Sequence, residues 1–273
     1  MPRQELALAP MTLDLAWKDP VENLRRLEEA VRRGLERSPE IPSEARLFLF
    51  PELTLTGFVT KGVESFSLEP PHRYVERLMD IARKARTGLS AGFPEPNPAD
   101  PARPFNTTVV IGPDGKVACR YHKIHLFTLG KNPESAGYSA GFSGAVFEYR
   151  GWRVGIAVCF DIRFPALFHE YARAGVDLML VPACWIGGPH KSYQFKTVTS
   201  AYAVLTQAYV AAVNRSGKDP FFEYEGTEHV FSPFGENGYE GEPLRLDPAE
   251  LERCRELVVR TSDRDSYQVR DIP

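Results

Sequence analysis

The chain has 273 residues, 43% of them hydrophobic and 25% charged, with 23 prolines and 21 glycines. This ordinary globular balance excludes collagen-like and low-complexity chains. The net charge of −3 argues against a nucleic-acid partner or an anionic membrane surface.

The first predicted element is a short strand over 5–9. A helix follows over 20–37, with Val21, Leu24, Leu27, Ala30, Val31 and Leu35 in a 3.6-residue stripe and Asp19 as its N-cap. Segment 46–51 is an apolar run of strand length. A helix over 72–85 and a strand over 87–93 come next. Residues 94–104 hold five prolines and read as a stiff loop. Strands 107–111 and 116–121 flank Gly112-Pro-Asp-Gly115, the clearest hairpin signal. Then follow a strand over 153–158, a helix over 165–174 ended by Gly175, a strand over 177–181, a helix over 191–207 and a strand over 209–213. Glu236-Asn-Gly238 signals a further hairpin, and a helix over 248–258 takes Asp247 as its N-cap.

Strands and helices alternate throughout, and the strands are continuous apolar runs. That pattern points to α/β architecture with both faces of the sheet covered. The hairpin makes the sheet mixed. With no internal repeat or composition break, a single domain over 1–273 is expected. The longest apolar run, 178–186, is interrupted by Pro182 and is far short of the roughly 18–20 residues of a membrane span. The first residues, Met1-Pro-Arg-Gln-Glu, lack a signal-peptide pattern. The cysteines at 119, 159, 184 and 254 form no CxxC pair and no disulfide framework. A cytoplasmic protein with free thiols is the expectation.

Three reactive residue types follow predicted strands: Glu52 after 46–51, Lys123 after 116–121 and Cys159 after 153–158. In open sheets of this class, ligand sites lie beyond the carboxyl ends of strands. Each residue alone is unremarkable; a lone cysteine after an apolar strand is ordinarily a small core residue. Together they can form a nucleophilic site. A cation such as Lys123, and the start of the helix over 165–174, would favour a Cys159 thiolate. A carboxylate can take the thiol proton and return it to a leaving group.

The segments Leu49-Phe-Pro-Glu-Leu-Thr-Leu-Thr-Gly-Phe58, Tyr121-His-Lys-Ile-His-Leu-Phe127 and Val158-Cys-Phe-Asp-Ile-Arg-Phe-Pro165 resemble the three signature motifs of the nitrilase superfamily of carbon–nitrogen hydrolases. They stand in the family's order, and the likeness runs to about residue 260. Within the superfamily the chain is most similar to the small omega-amidase-type amidohydrolases. The resemblance implies Glu52 as general base, Lys123 as catalytic lysine and Cys159 as nucleophile. It implies Glu134, 25 residues before Cys159 and seven before Gly141, as the second glutamate that positions the lysine and the substrate amide. It also implies a four-layer α-β-β-α sandwich that pairs through helices into a homodimer or higher homo-oligomer.

The implied reaction is cysteine-dependent hydrolysis of a small linear amide through a thioester. Lys123 and the backbone N–H of Phe160 would stabilise the oxyanion. Hydrolysis of an N-carbamoyl compound or a nitrile, acyl transfer, and a non-catalytic binding protein on this fold are the alternatives. Phe127, Arg163 and Trp185 are candidate pocket residues. Phe127 and Trp185 could instead be core, and Arg163 could instead pair with Asp161 or Glu170. Cys119 reads as a buried packing residue, Cys184 as core although its place before Trp185 could put it near the pocket, and Cys254 as structural or exposed. His122 and His125 have no further ligands near them in the sequence, so no metal is expected; the resemblance implies no metal either, and no cofactor is expected. The chain departs from the family's Ala-Arg-Ala-x-Glu-Asn segment, reading Ala201-Tyr-Ala-Val-Leu-Thr206, and carries Glu228 where a small or hydroxyl residue is usual.

Overall fold

A computed structural model describes residues 2–66, 73–128, 130 and 133–257. The first residue of the predicted helix 72–85, the last of the predicted helix 248–258, and both ends of the expected domain lie outside the described residues.

Strand β1 (Ala7–Pro10) leads into α1 (Pro20–Arg37), then β2 (Arg46–Leu49), α2 (Arg73–Ala85), β3 (Gly88–Glu95), β4 (Phe105–Ile111) and β5 (Val117–His122). The second half contains β6 (Val146–Tyr149), β7 (Trp152–Ile156), α3 (Pro165–Arg173), β8 (Leu178–Ala183), α4 (Lys191–Thr206), β9 (Tyr209–Lys218), β10 (Glu223–Phe231), β11 (Leu244–Arg245) and α5 (Pro248–Leu257). The strands form two mixed sheets, ordered β11-β1-β2-β3-β4-β5 and β10-β9-β8-β7-β6. The inner strands of each are parallel: β1 with β2 and β2 with β3 in one, β7 with β8 and β8 with β9 in the other.

Alternation along β2 explains the layers. Leu47 and Leu49 join a core shared with Val154, Ile156 and Leu180 of the other sheet. Phe48 and the following Phe50 turn the opposite way, into a core with Leu27 of α1 and Leu78 of α2. Successive strand residues face opposite sides, so one apolar run serves both cores. On the far side, Phe168 of α3 stacks on Tyr202 of α4 at 3.6 Å. The result is the expected four-layer α-β-β-α sandwich.

Local signals were read correctly where they were chemical. Asp19 accepts a hydrogen bond from Glu22 N at 3.0 Å and caps α1, with Pro20 in its first turn. The 112–115 turn closes with Gly112 N donating to Lys116 O at 2.8 Å. Boundaries set by tertiary pairing differ. The strand expected over 153–158 stops at Ile156, because the chain leaves the sheet and forms a 3₁₀ turn at Cys159–Arg163. The strand expected over 209–213 runs on to Lys218, held by a long antiparallel pairing with β10. Strands β6, β10 and β11, all unpredicted, lie at or beside sheet edges. The turn near Glu236 lies earlier than expected: Ser232 N donates to Glu236 O at 2.8 Å, and Asn237 is already on the return arm, bridged to Phe231.

Candidate active site

Glu52 sits three residues beyond the end of β2, in a tight turn in which Leu53 adopts φ 47°. The turn lies directly on β3, where a Cβ at Gly92 would approach Leu53 N to 2.6 Å. Only glycine permits that contact. Lys123 follows β5 and is fixed through its backbone: its N–H donates to Asn106 O at 2.9 Å, and its carbonyl accepts from Gly141 N at 2.8 Å. A Cβ at Gly141 would meet His122 O at 2.2 Å, which accounts for a glycine seven residues after Glu134. Glu134 opens a short 3₁₀ turn, Glu134–Ala136.

These three side chains converge, and all are fully buried. Lys123 Nζ donates to Glu52 Oε1 at 2.7 Å and to Glu134 Oε2 at 2.6 Å. Asn106 Nδ2, from β4, donates to Glu52 Oε1 and to Glu134 Oε1, each at 2.7 Å. Phe127 N donates to Glu134 Oε2 at 2.9 Å. Burial works against the Lys123 ammonium, but Glu134 and Glu52 outweigh it and hold its pKa well above the ordinary lysine value. Burial raises the Glu134 pKa, with Lys123 opposing. Two carboxylates around one ammonium, with hydrogen bonds to the remaining oxygens, is the arrangement that makes buried charge tolerable.

Cys159 arrives from the other sheet. It begins the Cys159–Arg163 turn at φ 48°, a left-handed conformation unusual for a non-glycine residue. Asp161 builds this turn. Its Oδ2 accepts from Val158 N at 2.8 Å and from Tyr121 OH at 2.7 Å, and its Oδ1 accepts from His125 N at 2.9 Å and faces His125 Nδ1 at 2.8 Å. Tyr121 lies on β5, so Asp161 ties the cysteine turn to the lysine strand. Burial, reinforced by Glu52, holds the Cys159 thiol well above its ordinary pKa, with Lys123 opposing. Burial and the Glu52 carboxylate act against a thiolate here, while the cation that the sequence pointed to acts for it.

A cavity of about 370 Å³ opens onto these groups. Cys159, Lys123, Phe127, Phe160, Arg163 and Trp185 line it, so all three candidate pocket residues share a cavity with Cys159. Arg163 does not make the alternative ion pair with Asp161 or Glu170. Its guanidinium stacks 4.9 Å from the Trp185 ring centroid, and its Nη2 donates to Gln194 Oε1 at 2.6 Å. Trp185 is held by Asn214, which accepts from its N–H at 2.7 Å and donates to its carbonyl at 2.9 Å. Phe160 lies in the first turn after Cys159, where a backbone N–H has no acceptor within the helix.

Asn106 and Cys184 also belong to the site. Asn106 carries no signal beyond its place in a strand. Cys184, read as packing, lines the cavity and holds Glu52 twice: its N–H donates to Oε2 at 2.8 Å and its thiol to the Glu52 carbonyl at 3.1 Å. Its place beside Trp185 is the clue that the sequence offers. The histidines are engaged separately, His122 with Glu95 at 2.9 Å and His125 with Asp161. Among the departures, Tyr202 is buried and its hydroxyl donates to Ile162 O at 3.0 Å, while Glu228 accepts from Thr12 N.

Residues 6–237 match the family model described as carbon-nitrogen hydrolase. The chain is 30% identical over 260 residues to omega-amidase YafV of Yersinia enterocolitica, covering 95% of this chain and 94% of that protein. Its fold is similar to Nit3 of Saccharomyces cerevisiae, a nitrilase-superfamily member, with a TM-score of 0.83 and 25% identity over 96% of this chain and 97% of that one. It is also similar to a Nesterenkonia sp. AN1 amidase solved with an acetamide moiety on its active-site cysteine. There the TM-score is 0.75 and the identity 26%, over 92% of this chain and 97% of that one.

Proposed function

Because the chain belongs to the carbon–nitrogen hydrolase family, we propose that it hydrolyses a small linear amide in omega-amidase fashion, through a thioester on Cys159. The substrate of first choice is the terminal amide of a dicarboxylate monoamide. The observation that carries this reading is the buried Glu52–Lys123–Glu134 cluster at the cavity that Cys159 lines. The omega-amidase and amidase names of the similar proteins support the substrate class.

In the reaction Glu52 takes the Cys159 proton as sulfur attacks the amide carbonyl, so no free thiolate accumulates. Lys123 and the Phe160 N–H stabilise the tetrahedral oxyanion. Glu52 returns the proton to the departing ammonia or amine. Water, activated by the same carboxylate, then cleaves the thioester and frees the thiol. Glu134 and Asn106 act through Lys123 and Glu52 by holding them in place.

We read the whole chain as one domain that forms a homodimer or higher homo-oligomer through its helices. The exposed Tyr193, Val204 and Leu205 on α4 support that assembly. Four free cysteines support a reducing, cytoplasmic setting.

The test offers short amides, dicarboxylate monoamides, N-carbamoyl compounds and nitriles, with mass detection of an acyl adduct on Cys159. Monoamides are expected to release ammonia and leave the transient adduct. Cys159→Ala is expected to lose roughly 10⁴-fold or more of the turnover with an unchanged circular dichroism spectrum. Turnover retained in that variant, or an adduct on another residue, overturns the assignment.

A further inference from the structure

The cavity walls are mainly apolar and aromatic, yet two cations besides the buried Lys123 stand on them, Arg163 and Lys191. Arg163 is committed, stacked on Trp185 and bonded to Gln194. Lys191 opens α4 at an exposed position, and its backbone carbonyl accepts from Trp185 Nε1 at 2.9 Å. That bond ties the start of α4 to the cavity wall. Among the described residues, no carboxylate lies within ion-pair distance of the Lys191 ammonium. Glu225, the acid facing this turn, is occupied by Ser192 Oγ and by Gly188 N at 3.1 Å. The cavity thus joins Cys159 and Lys123, an apolar and aromatic lining, and an ammonium with no carboxylate partner among the described residues.

An apolar pocket with a few placed polar groups draws its specificity from those groups. We propose that Lys191 is a specificity-determining residue whose ammonium pairs with a carboxylate at the far end of the substrate from the scissile amide. This rests on reading the cavity as the amide site, and it deepens that reading. It selects anionic over neutral amides of equal length. At about 370 Å³ the cavity is near the small end of ligand pockets, which suits a short chain between the two ends. Arg163 supplies positive potential from its fixed place, whereas Lys191 is free to close onto the ligand.

The experiment compares kcat/KM for a five-carbon dicarboxylate monoamide and for an uncharged amide of the same length, in the wild type, Lys191→Ala, Lys191→Arg and Lys191→Glu. A second measurement follows protection of Cys159 from iodoacetamide by the five-carbon dicarboxylate, read on the Cys159 peptide by mass. Lys191→Ala is expected to lower kcat/KM for the anionic amide about tenfold, mostly through KM, and to weaken dicarboxylate protection about tenfold. The neutral amide should change less than twofold. Lys191→Arg should restore most of the preference, and Lys191→Glu should reverse it. Equal loss for both amides, or no loss for either, overturns the inference while leaving amide hydrolysis standing. If no amide is turned over but Lys191→Ala still weakens dicarboxylate protection, the proposed reaction fails and the anion site stands. Unaltered protection in Lys191→Ala overturns the site.

Discussion

The two sheets contribute different things to one site. The sheet built from the first half of the chain supplies Glu52, Lys123 and Asn106, with Glu134 following it, and their buried atoms are joined by hydrogen bonds of 2.6 to 2.7 Å. The other sheet supplies Cys159 and Cys184 from the ends of β7 and β8, together with Phe160 and Trp185 of the cavity wall. The first is a closed electrostatic unit; the second is an apolar surface carrying sulfur. The difference teaches that catalysis here depends on registering one sheet against the other. Beside the shared core, contacts at the site serve this: Cys184 on Glu52, and Asp161 between the cysteine turn and Tyr121 and His125. Breaking the unit should therefore cost stability and activity together, whereas loosening the register should cost mainly activity.

The largest effect belongs to the closed unit. Lys123→Met leaves two carboxylates buried without their cation and should destabilise the protein by about 3–5 kcal/mol in urea denaturation. Adding Glu134→Gln should recover part of that loss, a non-additivity expected of groups in one network. The substitution also moves the thiol. Lys123 opposes the upward shift of the Cys159 pKa, so its removal pushes that pKa higher still. Cys159 alkylation by iodoacetamide, which needs the thiolate, should then begin to rise at a higher pH than in the wild type. A stability cost near zero would mean that the three groups are not acting as one buried set.

Asp161→Asn tests the register and should act less strongly. The amide keeps one acceptor but turns a donor toward atoms that already donate, the Val158 N–H and Tyr121 OH or the His125 N–H. A cost of about 1–3 kcal/mol is expected, with kcat falling more than KM rises. Thermal unfolding and steady-state kinetics read the two. A loss confined to stability would show that the cysteine turn holds its place without the carboxylate.

How much was legible follows the same division. The strand-end positions of Glu52, Lys123 and Cys159 were visible because each apolar run ends in a reactive residue, and Glu134 because its spacing matched a known pattern. The four layers were expected for the family, and β2 shows why: both of its faces are apolar. Asn106 was invisible, because a single asparagine before a β-branched strand has no periodic or chemical mark. The edge strands β6, β10 and β11 were missed because partners distant in sequence define them, as Ala7 pairing with Arg245 illustrates. The cation near the thiol was readable in the sequence, whereas the burial that opposes its effect on Cys159 was not.

The smallest effect expected is the sharpest test of the division between the two thiols. Cys184→Ala removes the S–H donor to the Glu52 carbonyl but keeps the backbone N–H that holds Oε2. One modest hydrogen bond is lost, worth about 0.5–1.5 kcal/mol, and the carboxylate keeps its donors. The expected outcome is a roughly two- to fivefold fall in kcat, with KM and the mass of the acyl adduct on Cys159 unchanged. Both sulfurs line the same cavity and burial raises both pKa values, so acidity does not tell them apart. What separates them is the backbone: Cys159 begins its turn in the left-handed conformation, while the Cys184 thiol is engaged with a carbonyl. If Cys184→Ala abolished turnover as completely as Cys159→Ala, this distinction would fail, and the second sheet would be contributing two chemical groups instead of one.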